Sequence, residues 1–589
     1  MNLHWSLDAL YPSFESEQFN HDLEACFLQM EELKSWAQHE LHDKNDPIKV
    51  IEAYLSKINA CYTLYSRLHS FSELNLSVNA KNEKAMQMSE RLEEKVTELV
   101  EPTVMFQKWL GTQGDLSPYF DQSPKLAEHQ FYLEEAVKQN QYLLSEKEEV
   151  LMAKMKNTGS NAWSKLQELL TSTLLVDIVV DGEKKQLPLS VVRNMAYEAD
   201  PQIRRKAYEA ELGAYEKIQD SSAASLNGVK GEVIMESKLR GYTSPLEKTL
   251  MDSRMNQETL DAMLTAMRES LPAFHRFFRK KAELLGHPHG LPFYDLFAPM
   301  GEVDMTFTYE QARDFIVGHF RTFSDKLGDY ANHAFEAQWI DAEPREGKRG
   351  GAFCSNLHAI KESRVLTNFT GSFSDVTTLA HELGHGYHGA CLNEESYLNS
   401  DYPMPIAETA SIFCETIIKN AALKKATKEE AFVILENELT DAGQVIVDIY
   451  SRYLFESELF RRRETSSLSV KELKDIMLQS QKEAYGEGLD PEFLHPYMWV
   501  CKPHYYYANY NFYNFPYAFG LLFAKGLYAE YLKRGEAFVP EYDHLLSVTG
   551  KMDIRSVASI MGVDVGSVEF WRNSLKLIEK DIETFVSLK

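Results

Sequence analysis

His381 and His385 stand four residues apart in His381-Glu382-Leu383-Gly384-His385. On a helix this spacing sets both imidazoles on one face, with a carboxylate beside the first. Two such imidazoles can hold a zinc ion, and the carboxylate can deprotonate the water bound to it. A catalytic zinc site needs a third protein ligand, its fourth position being left to water. His388 is one candidate, but seven residues along a helix put it about 10 Å from His381, too far to share an ion. A metzincin would carry its third histidine at position 391, where this chain has Cys391. Glu408 is the better ligand. It lies in Pro405-Ile406-Ala407-Glu408-Thr409-Ala410-Ser411-Ile412-Phe413-Cys414-Glu415, read as a second helix after the turn Asp401 to Pro405. Glu408 and Glu415 are seven residues apart, so both can face the first helix. Glu408 is assigned to the metal, and Glu415 to the free N–H of a ligand histidine. Glu382 is the expected general base, and zinc plus a positioned base suits amide hydrolysis.

A second group of polar side chains lies further on. His504 opens a stretch with six tyrosines in fourteen residues: Tyr505, Tyr506, Tyr507, Tyr510, Tyr513 and Tyr517. Negative charge builds on a carbonyl oxygen during peptide hydrolysis, and imidazole or phenol donors can stabilise it. Several of these rings are expected to be packing.

The elements that must position these groups are mostly helical. Residues 17 to 170 repeat apolar residues every three or four positions, as in Asp46 to Leu74 and Lys81 to Val100, with a break between Gly111 and Pro124. Leu174 to Leu189 alternates around Asp181-Gly182 and reads as a hairpin. Asp200-Pro201 opens another helical region, interrupted between Gly286 and Pro299. The division expected is an N-terminal helical lobe, 1–195, and a catalytic region, 196–589. Gly347 to Gly371 is the sheet region, with a β-prone run from Arg364 to Thr370 just ahead of the zinc helix. There an exposed edge strand can bind an extended peptide. Ser374 and Asp375 read as cap and first turn of the zinc helix, which is expected to run to about His388 and stop at Gly389. Gly384 and Gly386 each cost about 1 kcal/mol of helix stability, so a helix that keeps both needs close approach to a neighbour.

A formal net charge of -26 over 589 residues argues against nucleic acid or anionic membranes as main partners. The six cysteines show no C-x-x-C, which argues against a cysteine zinc site or a disulfide framework. The N-terminus has no signal-peptide pattern and no apolar run approaches a membrane span, so a cytoplasmic location is expected.

Several segments together resemble the thimet-oligopeptidase-like zinc peptidases, and within them the oligoendopeptidase F branch. They are Trp5 to Pro12, Gly347-Lys348-Arg349-Gly350-Gly351-Ala352-Phe353-Cys354, Asn368-Phe369-Thr370-Gly371, Ile406 to Ser411, and His504 with Phe512 to Gly520. The resemblance implies a mainly α, two-lobed helical ellipsoid with a deep central channel and a small β-sheet beside the zinc helix. It implies an endopeptidase for short unstructured peptides, with one zinc ion on His381, His385 and Glu408, and Glu382 as base. It also implies that His504 and nearby tyrosines assist the oxyanion. Thimet-type members carry tyrosines five and twelve residues past that histidine, where this chain has Asn509 and Pro516. Tyr510 and Tyr517, then Tyr513, are the expected substitutes. A related carboxypeptidase, or a peptide-binding protein without catalysis, are the competing readings. The intact Glu382 weighs against the second of these.

Overall fold

The structure is a computed structural model, described over residues 2–41, 46–180, 182–301 and 305–588. Helices dominate, with one two-stranded and one three-stranded sheet among the described residues. The chain forms two compact units that interleave along the sequence. The first is Met1–Tyr142, Met305–Ala422 and Glu530–Val563; the second is Leu143–Asp304, Leu423–Ala529 and Asp564–Lys589. The division expected near residue 195 falls within the second unit's first segment.

In the first unit the apolar periodicity becomes long helices, Glu17–Glu40, Pro47–Val78 and Glu83–Val96. Ser16 caps the first of them by accepting from the Phe19 amide. Phe19, Met30, Tyr54, Leu68 and Leu92 are fully buried in the core these helices share. In the second unit the predicted hairpin is present, β1 (Leu175–Val180) pairing antiparallel with β2 (Glu183–Pro188). Val176 and Ile178 point into a core containing Tyr215, Phe455 and Trp499. Gly182 takes the positive φ the turn requires, +79°, while Asp181 lies outside the described residues. Asp200 caps the helix Pro201–Tyr215 as read.

The larger sheet belongs to the first unit. Its strands are β3 (Ile340–Asp341), β4 (Phe353–Leu357) and β5 (Glu362–Leu366), in the order β3-β5-β4. β5 is parallel to β3 and antiparallel to β4, so β4 is an edge strand. The β-prone run starts two residues earlier than expected and its regular pairing ends at Leu366. Thr367 and Phe369 still donate to the Asp341 and Ala342 carbonyls, both at 2.9 Å. Asn368 instead turns its side chain onto the Arg349 and Gly351 carbonyls, which fixes the glycine-rich loop. Among the described residues no helix is long and apolar enough to cross a membrane.

Candidate active site

The helix carrying His381 and His385 is Phe373–Cys391. Its cap is Ser372, two residues before the expected position, and Asp375 occupies the third helical position of a capping box. One carboxylate oxygen of Asp375 gathers the amides of Thr370, Gly371 and Ser372 and the Thr370 hydroxyl, all between 2.7 and 3.0 Å. That cluster fixes where the helix begins. The helix also passes through Gly389, which is not a stop. A side chain there would meet Asn356 of β4.

The glycines explain themselves as close approaches. A Cβ on Gly384 would lie 2.6 Å from the Ala410 carbonyl oxygen and 2.6 Å from the Ser411 Cα, which is backbone and cannot give way. Gly386 leaves room for the Tyr330 hydroxyl. The second segment can therefore pack directly on the first. That segment is broken: a short turn Met404–Ala407, then Glu408 outside regular helix, then the helix Thr409–Leu423. The expected single helix is thus split at the residue that faces the histidines.

Glu408 Oε2 lies 3.2 Å from His381 Nε2 and 3.4 Å from His385 Nε2. The three donor atoms all lie within 4.8 Å of one another. A tetrahedral zinc ion with bonds of about 2.0–2.1 Å separates its ligand atoms by about 3.3 Å, so the donor set fits that ion in chemistry and spacing. Each of the three side chains keeps 19–24% of its surface exposed, so the site is open to solvent. Ser411, itself buried, donates to Glu408 Oε2 at 2.8 Å.

Glu415 Oε2 is 3.1 Å from His381 Nδ1, and Lys419 pairs with its other oxygen. This is the arrangement in which a carboxylate fixes the tautomer and orientation of a ligand imidazole. Burial pulls the His381 pKa down, but hydrogen bonds to Glu408 and Glu415 outweigh it and raise it to about 10. The same partners hold Glu408 and Glu415 well below the usual carboxylate range despite burial. Glu382 goes the other way. It is 7% exposed, and burial pushes its carboxyl up, while the two neighbouring histidines and the Cys354 backbone amide oppose this. β4 thus touches the helix at two levels, since Asn356 Nδ2 also donates to the His385 carbonyl at 3.2 Å. The role of the Cys354 amide was not legible in the sequence, because it depends on strand register.

His388 points away from this cluster. It is fully buried, bonds Thr549 Oγ1 through Nε2 at 2.8 Å and stacks on Tyr402 at 4.1 Å.

His504, Tyr510, Tyr513 and Tyr517 belong to the second unit. The His504 ring stacks on Tyr513, with centroids 5.6 Å apart, and the Tyr513 and Tyr517 hydroxyls are 3.0 Å apart. Tyr510 is 61% exposed and meets Tyr513 edge to face. Tyr505 and Tyr506 are buried packing residues. The loop that bears the cluster is tied down by Lys230, which donates to Asn511 and Glu456, and by Thr249, which donates to the Asn511 carbonyl. Beside it Phe512 holds a left-handed φ of +52°, a strained conformation for an aromatic residue.

The site is thus a two-histidine, one-carboxylate cluster that could hold a metal ion, beside a buried glutamate, in a mostly helical fold. Residues 194–577 match the family model described as Peptidase family M3, and residues 112–175 match the one described as Oligopeptidase F. The chain belongs to peptidase family M3. Among its relatives, Oligopeptidase PepF of Bacillus subtilis (strain 168) is 23% identical, over 99% of this chain and 87% of that protein. An Oligoendopeptidase F homolog of Lactococcus lactis is 25% identical, over 91% of this chain and 85% of its own length. A crystal structure from Chlamydophila abortus superposes with a TM-score of 0.84 at 21% identity, covering 100% of this chain and 98% of that one. Oligoendopeptidase-F from Enterococcus faecium does so with a TM-score of 0.71 at 19% identity, covering 97% and 99%.

Proposed function

We propose that the protein is a zinc-dependent oligoendopeptidase that hydrolyses internal bonds of short, unstructured peptides. The observation that carries this reading is the convergence of His381 Nε2, His385 Nε2 and Glu408 Oε2 beside the buried Glu382. Bound there, one Zn2+ ion would acidify a water molecule and polarise the scissile carbonyl. Glu382 takes the proton from the attacking water and returns it to the departing amine. Burial raises its pKa towards the working range, which suits both transfers. Glu415 orients His381 through Nδ1. The edge strand β4, one step from Glu382, offers main-chain groups to an extended substrate. His504, with Tyr510, Tyr513 and Tyr517, supplies donors to the carbonyl oxygen as charge builds on it.

The same reading includes a sequence module boundary near residue 195, supported by the family match that begins at residue 194. It also includes a cytoplasmic location, with peptides rather than nucleic acid or membranes as partners. The six cysteines, all free thiols, support that location.

Purified protein given a blocked, internally quenched peptide of about ten residues should cleave it internally, lose activity on chelation and regain it with zinc. Cleavage only when the C-terminus is free would turn the reading to a carboxypeptidase. A zinc-loaded protein that cleaves none of several peptides would leave a binding protein.

A further inference from the structure

His504 is gripped through one ring nitrogen. Arg452 Nη1 donates to Asn514 Oδ1 at 3.1 Å, and Asn514 Nδ2 lies 2.9 Å from His504 Nε2. An arginine has no acceptor, so the amide must turn its oxygen to Arg452 and its NH2 to the imidazole. An NH2 group only donates, so Nε2 must be the bare nitrogen. In a neutral imidazole the single proton then sits on Nδ1. Nδ1 has no hydrogen-bond partner among the described residues.

The grip is rigid. Asn514 is 7% exposed, and Arg452 pairs with the buried Asp448, which accepts from the Tyr485 hydroxyl at 3.1 Å. A single π-helical turn, Gln444–Asp448, precedes the helix Ile449–Arg463 and sets where Asp448 and Arg452 point. The charged groups facing the ring are Arg452 and Asp448 from this segment, Lys230 from the helix Gln219–Arg240, and Lys502 on its own loop. Burial and these three cations outweigh the one carboxylate and hold the His504 pKa down to about 3. The ring is therefore neutral across the physiological range.

We propose that Asn514 and Arg452 are positioning residues that lock His504 as the Nδ1–H tautomer, so that Nδ1–H is the donor offered to the substrate carbonyl oxygen. The donor role rests on the peptidase reading above; the tautomer lock stands without it.

Asn514→Asp keeps the shape and the Arg452 contact but sets an acceptor against Nε2. At low pH the ring then becomes an imidazolium, which still donates from Nδ1. Above the new pKa its remaining proton stays on Nε2, and the Nδ1 donor is lost. In the zinc-loaded protein, kcat/KM of Asn514→Asp should stay near wild type at the acid end. It should fall roughly a hundredfold as pH rises through that pKa, a limb wild type lacks. Histidine 13Cδ2 and 15N shifts, with the signal assigned by its loss in His504→Gln, should report Nδ1–H in wild type and Nε2–H in the variant. A wild-type signal of the Nε2–H form overturns the lock. A tautomer that moves while the pH profile stays parallel to wild type overturns the donor role. Should Asn514→Asp fail to fold, Arg452→Gln frees the amide to flip; a mixed tautomer with several-fold lower kcat/KM is expected, and an unchanged tautomer overturns the lock. If wild type cleaves no peptide, the peptidase reading falls, and the spectrum alone decides the lock.

Discussion

His381 and His504 start from the same imidazole and are driven in opposite directions. His381 sits among carboxylates, with Glu408 on one nitrogen and Glu415 on the other, and its pKa rises to about 10. His504 sits among cations, with Arg452, Lys502 and Lys230 near it, and its pKa falls to about 3. Both rings are largely buried, so burial is common to them and the neighbouring charge decides the outcome. An acidic cradle concentrates positive charge, whether a proton or a metal ion. A basic cradle keeps an imidazole neutral with one fixed N–H, the kind of donor that could serve a developing oxyanion. The two regions thus show one side chain tuned to opposite ends by the charge around it.

The sharpest way to break the comparison is to remove the proposed base beside the acidic cradle. Glu382→Gln should lower kcat by about 10²–10⁴-fold while zinc content and peptide binding persist, since general base catalysis contributes on that order. Turnover with the quenched peptide and metal analysis of the same sample check it. Normal turnover would sink the proposed chemistry, whatever His504 does.

The acidic cradle itself is next in size. Zinc needs a neutral His381, which in the metal-free protein keeps its proton up to a pH of about 10. Binding below that pH must therefore release the proton. Apparent zinc affinity should rise about tenfold per pH unit as pH climbs towards that value. Glu408 and Glu415 are held ionised far below this window and do not contribute to the slope. Glu415→Gln removes one of the two carboxylates that raise His381, so fewer protons should be released at pH 7–8. Its loss as an orienting partner should also weaken zinc about 10–100-fold. Calorimetry in buffers of different ionisation enthalpy reads both, and an unchanged proton count would show that Glu415 does not set the charge of His381.

The acidic region was largely legible in the sequence and the basic region was not. His381 and His385 are linked by a spacing that a helix converts directly into geometry, and Glu408 and Glu415 were read from their seven-residue spacing. Even there the local detail slipped. Ser372 and Ser374 can both cap, and only the four bonds gathered by Asp375 select Ser372. Glu408 reads as helical, yet it occupies a break between two helices. The grip on His504 joins residues 62 positions apart, Arg452 and Asn514, and depends on a π-helical turn that no apolar periodicity announces. Asp448 and Arg452, four residues apart and so on one helix face, were the available signal. The interleaving of the two units is likewise a property of long-range packing, and local patterns carry no trace of it.

The smallest effect sharpens what lets the acidic cradle form at all. Gly384 lies between the two histidines and against the backbone of Ala410 and Ser411, two and three residues beyond Glu408. Gly384→Ala would gain about 1 kcal/mol of helix propensity. The new methyl would meet main-chain atoms at 2.6 Å, where a side-chain shift gives no relief. Overpacking of that kind costs about 1–3 kcal/mol, so the net change should be a modest loss of stability. The segment bearing Glu408 would move outward, so zinc affinity should fall with it while the His504 tautomer signal stays unchanged. Thermal unfolding with and without zinc separates the two effects. A variant that melts higher and binds zinc as before would mean that the histidine helix and the Glu408 segment can part without disturbing the site.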